Sequence, residues 1–260
     1  MLLCIDVGNT QIHGGVYEGD DLKFQFRKNT STGLSSDELG IFFRSVLKEN
    51  GYEHTLISSV AICSVVPHME YSLNNACLRY FTDDVLLIKT GVKTGLRIKY
   101  LNPAEVGSDR VVNAVAARKL FPNQNILVVD FGTATTIDAI SKEGDYLGGA
   151  IFGGAKLMIS ALDSKTARLP SVEIVKPDRA CGVTTAQSIQ SGIFWSTLGG
   201  VKELNNQITK EQFEGETPLI IGTGGVGRLF EESGLFDHYI PDLVLYGLKE
   251  IHSKNREALK

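Results

Sequence analysis

The feature that most limits what this chain can fold into is a sequence motif that occurs twice. An apolar strand ending in Asp-x-Gly, followed by a hydroxyl side chain, occupies residues 2–10 and again 126–135. Each copy continues into a second strand-like run and then into the same turn, 18–20 in the first copy and 143–145 in the second. Because the match covers two strands and both connections, chance does not explain it. The repeat predicts two similar halves, each opening with a hairpin.

The chemistry of this hairpin suits phosphate. A glycine lets the backbone approach a phosphate closely, and amide and hydroxyl groups can donate hydrogen bonds to its oxygens. The acids, Asp6 and Asp130, can hold a cation or its waters. Asp6 could instead be an ordinary turn-forming residue, but a turn does not require the same acid again at Asp130. Two facing copies would form a nucleotide clamp.

Composition indicates a compact protein that binds small molecules. The 260 residues are 43% hydrophobic, which is enough for a buried core and two modest domains. The net charge of −4 predicts no nucleic-acid or membrane partner. No stretch has the roughly 18 apolar residues that span a membrane. The four cysteines lack a C-x-x-C pair or zinc-ligand spacing, so we expect reduced thiols in a cytoplasmic protein.

The order of predicted elements indicates an α/β fold. Three strands are followed by alternating helices and strands, and the second half repeats this plan. In the first half, a helix is predicted at 37–49 with Ser35 or Ser36 as its N-cap. A further helix near 110–120 separates the halves. The predicted domains are therefore residues 1–115 and 116–260, which we expect to share a cleft.

These features resemble the acetate and sugar kinase, Hsp70 and actin superfamily. Within it, segments in order along nearly the whole chain are similar to the type III pantothenate kinases, and Gly107-Ser108-Asp109-Arg110 between the hairpins is the most specific of them. The other matching segments are 6–10, 100–103, 130–135, 148–151, 166–170, 182–185 and 223–225. The resemblance implies two duplicated actin-like (ribonuclease H-like) domains with a nucleotide cleft between them. It also implies ATP-dependent phosphorylation of the 4′-hydroxyl of pantothenate, the first step of coenzyme A biosynthesis.

The resemblance implies that Asp109 is the catalytic base. Phosphoryl transfer needs an acceptor hydroxyl aligned with the γ-phosphate and a carboxylate close enough to take its proton. Gly107 and Ser108 precede this acid and are implied to contact pantothenate, and Arg110 is implied to bind its carboxylate through a planar guanidinium. Taken alone, Asp109 could instead cap the following helix and Arg110 could pair with a surface acid.

The two hairpins are implied to bind ATP and its cations. The first would wrap the triphosphate, with Asp6 acting on Mg²⁺ through water, and comprises Asp6, Val7, Gly8, Asn9, Thr10, Gln11, Ile12 and His13. In the second, Asp130 would bind a monovalent cation, K⁺ or NH₄⁺, and Thr133 would contact ATP. Residues 223–225 are expected under the adenine and ribose, although a plain strand-to-helix turn also explains their two glycines.

Tyr100 and Thr185 are implied to complete the pantothenate pocket. A tyrosine is more often half-buried packing, and a threonine at a helix start is often a cap, so both alternatives stay open. The predicted helix at 185–208 carries apolar residues on more than one face. This pattern is consistent with a homodimer, although a helix buried within one subunit would show the same pattern. The resemblance favours the homodimer and implies that its subunits share the pantothenate pocket.

Two other functions could use the same scaffold. One is a transcriptional accessory or regulatory protein, against which the retained acids Asp6, Asp109 and Asp130 argue. The other is a superfamily kinase with another small-molecule acceptor, such as a sugar or acetate, against which the Gly-Ser-Asp-Arg segment argues. The chain departs from the family where Gly153 replaces a proline. We expect this change to loosen the turn after the second hairpin.

Overall fold

The computed structural model describes residues 1–166 and 169–257. Ala167 and Arg168, which belong to one of the family-like segments, lie outside the described residues. The chain forms two compact units. The first contains Met1–Gly95, Asn102–Ala116 and the chain from Val244, and the second contains Leu96–Leu101 and Ala117–Leu243.

Strands and helices alternate after an initial run of three strands. The strands are β1 (Leu2–Val7), β2 (Gln11–Glu18), β3 (Asp21–Asn29), β4 (Ser59–Ser64), β5 (Val85–Leu87), β6 (Arg97–Ile98), β7 (Ile126–Phe131), β8 (Ala134–Ile140), β9 (Asp145–Gly153), β10 (Leu219–Thr223) and β11 (His238–Tyr239). The α-helices are α1 (Ser36–Glu49), α2 (Pro67–Tyr80), α3 (Ser108–Leu120), α4 (Ala155–Lys165), α5 (Thr185–Gln212) and α6 (Leu243–Glu257). None of these helices, within the part of the chain that the structure describes, is long and apolar enough to cross a membrane.

The first unit is built on a five-stranded sheet in the order β3-β2-β1-β4-β5. β1 pairs antiparallel with β2 and parallel with β4, so this sheet is mixed. β1 is almost entirely buried, whereas β3 at the edge alternates between exposed and partly buried residues. This is the burial expected of a strand covered on both faces and of an edge strand with one face in solvent.

The second unit repeats the plan. Its six strands lie in the order β11-β10-β7-β8-β9-β6. β7, β8 and β9 form an antiparallel run, and β10 pairs parallel with β7 as β4 does with β1. The duplicated hairpins predicted from the repeated motif are therefore β1–β2 and β7–β8.

Helix α1 begins where its sequence predicts. The Ser35 side chain accepts a hydrogen bond from the backbone N–H of Glu38, and the Glu38 carboxylate accepts one from the backbone of Ser35. This reciprocal capping satisfies two N–H groups that a helix start leaves open. The buried face of α1 contains Leu39, Phe43 and Leu47, which pack in the core of the first unit.

Helix α6 joins the first unit, although the sequence places it in the second domain, 116–260. A Cβ on Gly247 would collide with the backbone oxygen of Val112, so the bare glycine lets α6 pack closely on α3. The ammonium of Lys249, which is 5% exposed, donates to Asp20 Oδ1 at 2.6 Å and pairs with Glu250 at 3.2 Å. Close helix packing and the ion pair of the buried Lys249 with Asp20 thus place α6 in the first unit.

Candidate active site

The first hairpin presents a short polar loop at the end of β1. Asp6 is the penultimate residue of β1 and lies opposite His13 on β2. The loop is closed by a hydrogen bond from Gly8 N–H to Gln11 O at 3.0 Å, and the Thr30 hydroxyl donates to Gly8 O at 2.7 Å. This leaves Asn9 and Thr10 exposed at the tip. The sequence does not indicate the bracing role of Thr30, because it depends on the pairing of β2 with β3.

The structure separates the predicted triphosphate residues into two groups. Val7 and Ile12 are fully buried in the core of the unit, so only their backbone could reach a ligand. His13 is 5% exposed, and its Nε2 is hydrogen-bonded to Gln25 Oε1 at 2.8 Å. Asp6, Gly8, Asn9, Thr10 and Gln11 remain partly or wholly accessible. A phosphate at this loop would therefore meet backbone N–H groups and short polar side chains.

The second hairpin places its acid at the same strand position within the second unit. Asp130 is the penultimate residue of β7, as Asp6 is of β1, and Thr133 lies in the loop before β8. Gly224 has a φ of +84°, and a Cβ there would collide with Asp130 Oδ1. The Tyr239 hydroxyl donates to Gly224 O at 2.8 Å. The glycine turn after β10 is therefore held against the Asp130 carboxylate, a placement that its sequence does not indicate.

The start of α3 brings the Gly-Ser-Asp-Arg segment into the first unit. Asp109 is in the first turn, and its Oδ1 accepts a hydrogen bond from the Arg110 N–H at 2.8 Å. Burial raises the pKa of the Asp109 carboxyl, although this hydrogen bond and the Arg110 charge act in the opposite direction. A raised pKa strengthens the carboxylate as a proton acceptor, which is what a general base requires.

Gly107 leaves room for the carboxylate of Asp109. A Cβ at residue 107 would lie 2.6 Å from Asp109 Oδ1, which is closer than real Cβ contacts come. From the sequence, we expect Gly107 to let substrate contact the backbone closely. The structure adds a second reason for a glycine here, which is the close approach of the Asp109 carboxylate. Arg110 is 6% exposed, so a carboxylate bound to its guanidinium would be shielded from water.

Ser108 is held within the first unit. Its hydroxyl donates to the backbone oxygen of Ser64 at 3.0 Å and accepts from the Cys63 thiol at 3.2 Å. Both partners lie at the carboxyl end of β4, and Cys63 is the parallel-sheet neighbour of Asp6. Sequence reasoning missed Cys63, because its place next to Asp6 depends on the pairing of β4 with β1.

The remaining two predicted residues lie in the second unit. Tyr100 is half-buried, and its ring centroid is 6.3 Å from that of Tyr146, a fully buried residue of β9. Thr185 is exposed at the first position of α5. The N-cap is its neighbour Thr184, whose side chain accepts from Gln187 N–H at 3.2 Å. The Thr185 hydroxyl is therefore not needed as the cap.

Cations would have to be held by single acids together with other oxygens. Among the described residues, no group of three or more His, Cys, Asp or Glu side chains is arranged to hold a metal ion. One carboxylate at the end of a strand, next to a phosphate-type loop, fits Mg²⁺ that keeps several waters and phosphate oxygens as ligands. Asp6 meets this description.

Two duplicated α/β units, each opening with an Asp-x-Gly hairpin, define a protein of the actin-like fold. Solved structures show this fold. MreB5 of Spiroplasma citri has a TM-score of 0.51 at 10% identity, with 99% of this chain and 98% of that chain covered. A conserved protein named as a Baf family transcriptional activator, from Campylobacter jejuni, has a TM-score of 0.58 at 20% identity, with 98% and 99% covered. The predicted fold class is confirmed.

Sequence comparison identifies the family. The model of the type III pantothenate kinases matches residues 2–207. The type III pantothenate kinase of Legionella pneumophila (strain Corby) is 55% identical over 249 residues, covering 96% of this chain and 97% of the relative. That of Elusimicrobium minutum is 48% identical over 258 residues, covering 99% and 100%. The chain belongs to the type III pantothenate kinase family.

Proposed function

We propose that the chain is a pantothenate kinase that transfers the γ-phosphate of ATP to the 4′-hydroxyl of pantothenate, giving 4′-phosphopantothenate and ADP. The observation that carries this proposal is the 55% identity to a type III pantothenate kinase across nearly the full length of both chains. The pairing of a partly buried acid with a buried arginine at the start of α3 supports it. A pure binding protein would not need that acid.

The reaction follows from the chemistry of these groups. The 4′-oxygen attacks the γ-phosphorus, the bond from that phosphorus to the β–γ bridging oxygen breaks, and ADP leaves with the bond's electrons. Asp109 accepts the hydroxyl proton, and Arg110 binds the pantothenate carboxylate. Gly107, the backbone of Ser108, Tyr100 and Thr185 complete the pantothenate contacts.

The hairpin loops bind the nucleotide. In the first unit, the triphosphate is contacted by side chains and backbone N–H groups of Asp6, Gly8, Asn9, Thr10 and Gln11. Contacts from the buried residues of this segment, Val7, Ile12 and His13, are made by their backbone atoms only. Thr133 of the second hairpin contacts ATP. Mg²⁺ would be held by the phosphates and, through water, by Asp6, and it would neutralise charge that develops on the transferred group. Asp6 itself orients those waters.

We expect activity to depend on a monovalent cation held by Asp130. Hard oxygen ligands from one carboxylate and nearby carbonyls suit K⁺ or NH₄⁺, and the Gly224 turn lies against this carboxylate. Wild-type turnover should be low in buffer containing only sodium and should rise on addition of potassium or ammonium chloride. Asp130→Asn should lose this response. Equal initial rates in sodium and potassium at matched ionic strength would contradict the assignment.

The direct test of the function is ATP-dependent phosphorylation of pantothenate by the purified chain, detected as 4′-phosphopantothenate by mass spectrometry. A panel containing acetate and hexoses tests for another acceptor, and a gel-shift assay with promoter DNA tests for the transcriptional accessory role. Product formed from pantothenate alone among these acceptors supports the proposal. Phosphorylation of a different acceptor, or none at all, would refute it.

We also propose that the working unit is a homodimer located in the cytoplasm. Trp195 is 46% exposed on α5. A Cβ added at Gly192, Gly199 or Gly200 would meet no atom of the described residues within 4 Å, so this helix has room for a partner. Sedimentation velocity at assay concentration should give a dimer. Mixing an Asp109→Asn chain with an inactive Thr185 variant should restore some activity in hybrid dimers. A fully active monomer would contradict the proposal.

The location in the cytoplasm is supported by the state of the thiols. Cys4, Cys63, Cys77 and Cys181 are all free cysteines, and the first three are buried. Free thiols are typical of a reducing compartment.

A further inference from the structure

Cys63 contacts the segments that carry two of the proposed site acids, Asp6 and Asp109. It is on β4, beside Asp6 in the parallel ladder with β1, and its side chain has no exposure to solvent. Its thiol donates to the hydroxyl of Ser108, the first residue of α3, at 3.2 Å. The next residue along α3 is Asp109. A single buried side chain therefore lies between the strand that carries Asp6 and the helix that carries Asp109.

The hydrogen-bond directions at Ser108 are determined by its partners. Its only hydroxyl hydrogen goes to the backbone oxygen of Ser64, which can only accept. Ser108 Oγ therefore accepts from Cys63. The Cys63 side chain is also hydrogen-bonded to Asp6, so one protonated thiol serves both the strand that carries Asp6 and the helix that carries Asp109. Two adjacent residues at the end of β4 thus attach the start of α3 to the sheet.

The surroundings of Cys63 favour a neutral donor. Its side chain has no exposure to solvent, so a charged thiolate there would lose its hydration. A neutral group at this position separates two carboxylates without adding a third negative charge. An apolar side chain would fill the space but would leave Ser108 without this donor.

We propose that Cys63 is a positioning residue, whose hydrogen bond to Ser108 sets the placement of Asp109 relative to the Asp6 hairpin. This inference rests on the proposed pantothenate kinase activity, in which Asp109 receives the proton and the hairpin holds the triphosphate. It changes the expected role of Ser108, because the hydroxyl contributes to the position of α3 and only the backbone remains for pantothenate. Cys63 touches neither substrate in this scheme.

The test separates loss of the hydrogen bond from loss of packing. Cys63→Ala removes both, Cys63→Val keeps an apolar side chain of similar size without a donor, and Cys63→Ser keeps a donor. Cys77→Ala is the matched control, since Cys77 is an equally buried thiol in the apolar core of the same unit. Steady-state kcat, both KM values and thermal melting are measured for each variant and the wild type.

We expect kcat to fall about 10-fold in Cys63→Ala and Cys63→Val, with both KM values within about twofold of wild type. Moving a catalytic group by 1 Å can lower the rate by about 10²-fold, so a loss of about 10-fold corresponds to a smaller movement of Asp109. Cys63→Ser should keep kcat within about threefold of wild type. Cys77→Ala should lower the melting temperature and leave kcat unchanged.

Three results would overturn the inference. They are a wild-type kcat in Cys63→Val, an equal loss of kcat in Cys63→Ser and Cys63→Val, and a loss in Cys77→Ala as large as that in Cys63→Ala. If Cys63→Ala does not fold, the comparison of the valine and serine variants still decides. A wild-type chain that does not phosphorylate pantothenate would refute the proposed function and is recognised before any variant is compared.

Discussion

Replacing Asp109 by Asn is expected to lower turnover by about 10²-fold or more, because the amide cannot take the hydroxyl proton. Asn has the same shape, and its side-chain oxygen can still accept from the Arg110 N–H that Asp109 binds at 2.8 Å. The variant should therefore fold normally and bind ATP with unchanged affinity. Steady-state kinetics, ATP titration calorimetry and thermal melting check the three parts. Near-normal turnover would remove Asp109 from the role of base.

The pH dependence provides a second measurement on the same group. Since burial raises the pKa of Asp109 in the folded protein, the folded state holds this proton more tightly than the unfolded chain does. The stability contributed by this carboxyl is therefore present at pH values below its ordinary pKa of about 3.9 and is lost as pH rises through the raised value. Activity should show the opposite trend, falling as pH drops through the raised pKa. The residual activity of Asp109→Asn should not fall in this pH range. The variant should be at least as stable as wild type at neutral pH.

Gly107→Ala tests the same acid without changing it. The new methyl group would lie 2.6 Å from Asp109 Oδ1, so the carboxylate has to move. Turnover should fall in the single variant. In the double variant with Asp109→Asn there is no base left to displace, so we expect little further loss. Additive losses would indicate that the alanine acts elsewhere.

Replacing Arg110 by Met is expected to raise the KM for pantothenate by about 10- to 10²-fold, because a charge-assisted hydrogen bond contributes roughly 1.5–3 kcal/mol. Arg110 is 6% exposed, so little water would compensate for its loss. Arg110→Lys should recover only part of the affinity, since an ammonium lacks the planar fork that matches a carboxylate. Kinetics with pantothenate and a melting curve for each variant are the measurements.

Pantothenol, which has an alcohol in place of the carboxylate, is the matched control substrate. If Arg110 binds the carboxylate, Arg110→Met should change the kinetics with pantothenol far less than those with pantothenate. An equal effect on both would mean that the variant disturbs the start of α3 as a whole. An unchanged KM for pantothenate would contradict the assignment.

The hairpins and their acids could be predicted because their signal is local. Asp6 and Asp130 each follow an apolar run and precede a glycine, and both occupy the penultimate position of their strands. The start of α1 was predictable for the same reason, since Ser35 and Glu38 carry the capping pattern within four residues. Such local patterns can be recognised without knowing which strands pair in the sheet.

The features that could not be predicted depend on neighbours distant in sequence. Whether a residue of the 6–13 segment points to a ligand or to the core depends on strand pairing, which buries Val7, Ile12 and His13. The link from Cys63 to Ser108 crosses 45 residues and requires β4 to lie beside β1. The contact of the Gly224 turn with Asp130 similarly requires β10 to lie beside β7.

The ion pair between the buried Lys249 and the exposed Asp20 joins residues 229 positions apart, and this has a consequence for biosynthesis. While the ribosome is still making the second unit, the strands of the first have all been made but the helix that packs on α3 has not. That surface of α3, around Val112, stays bare until α6 emerges. An amino-terminal fragment ending at residue 116 would share this defect, so the unit translated first is the one completed last.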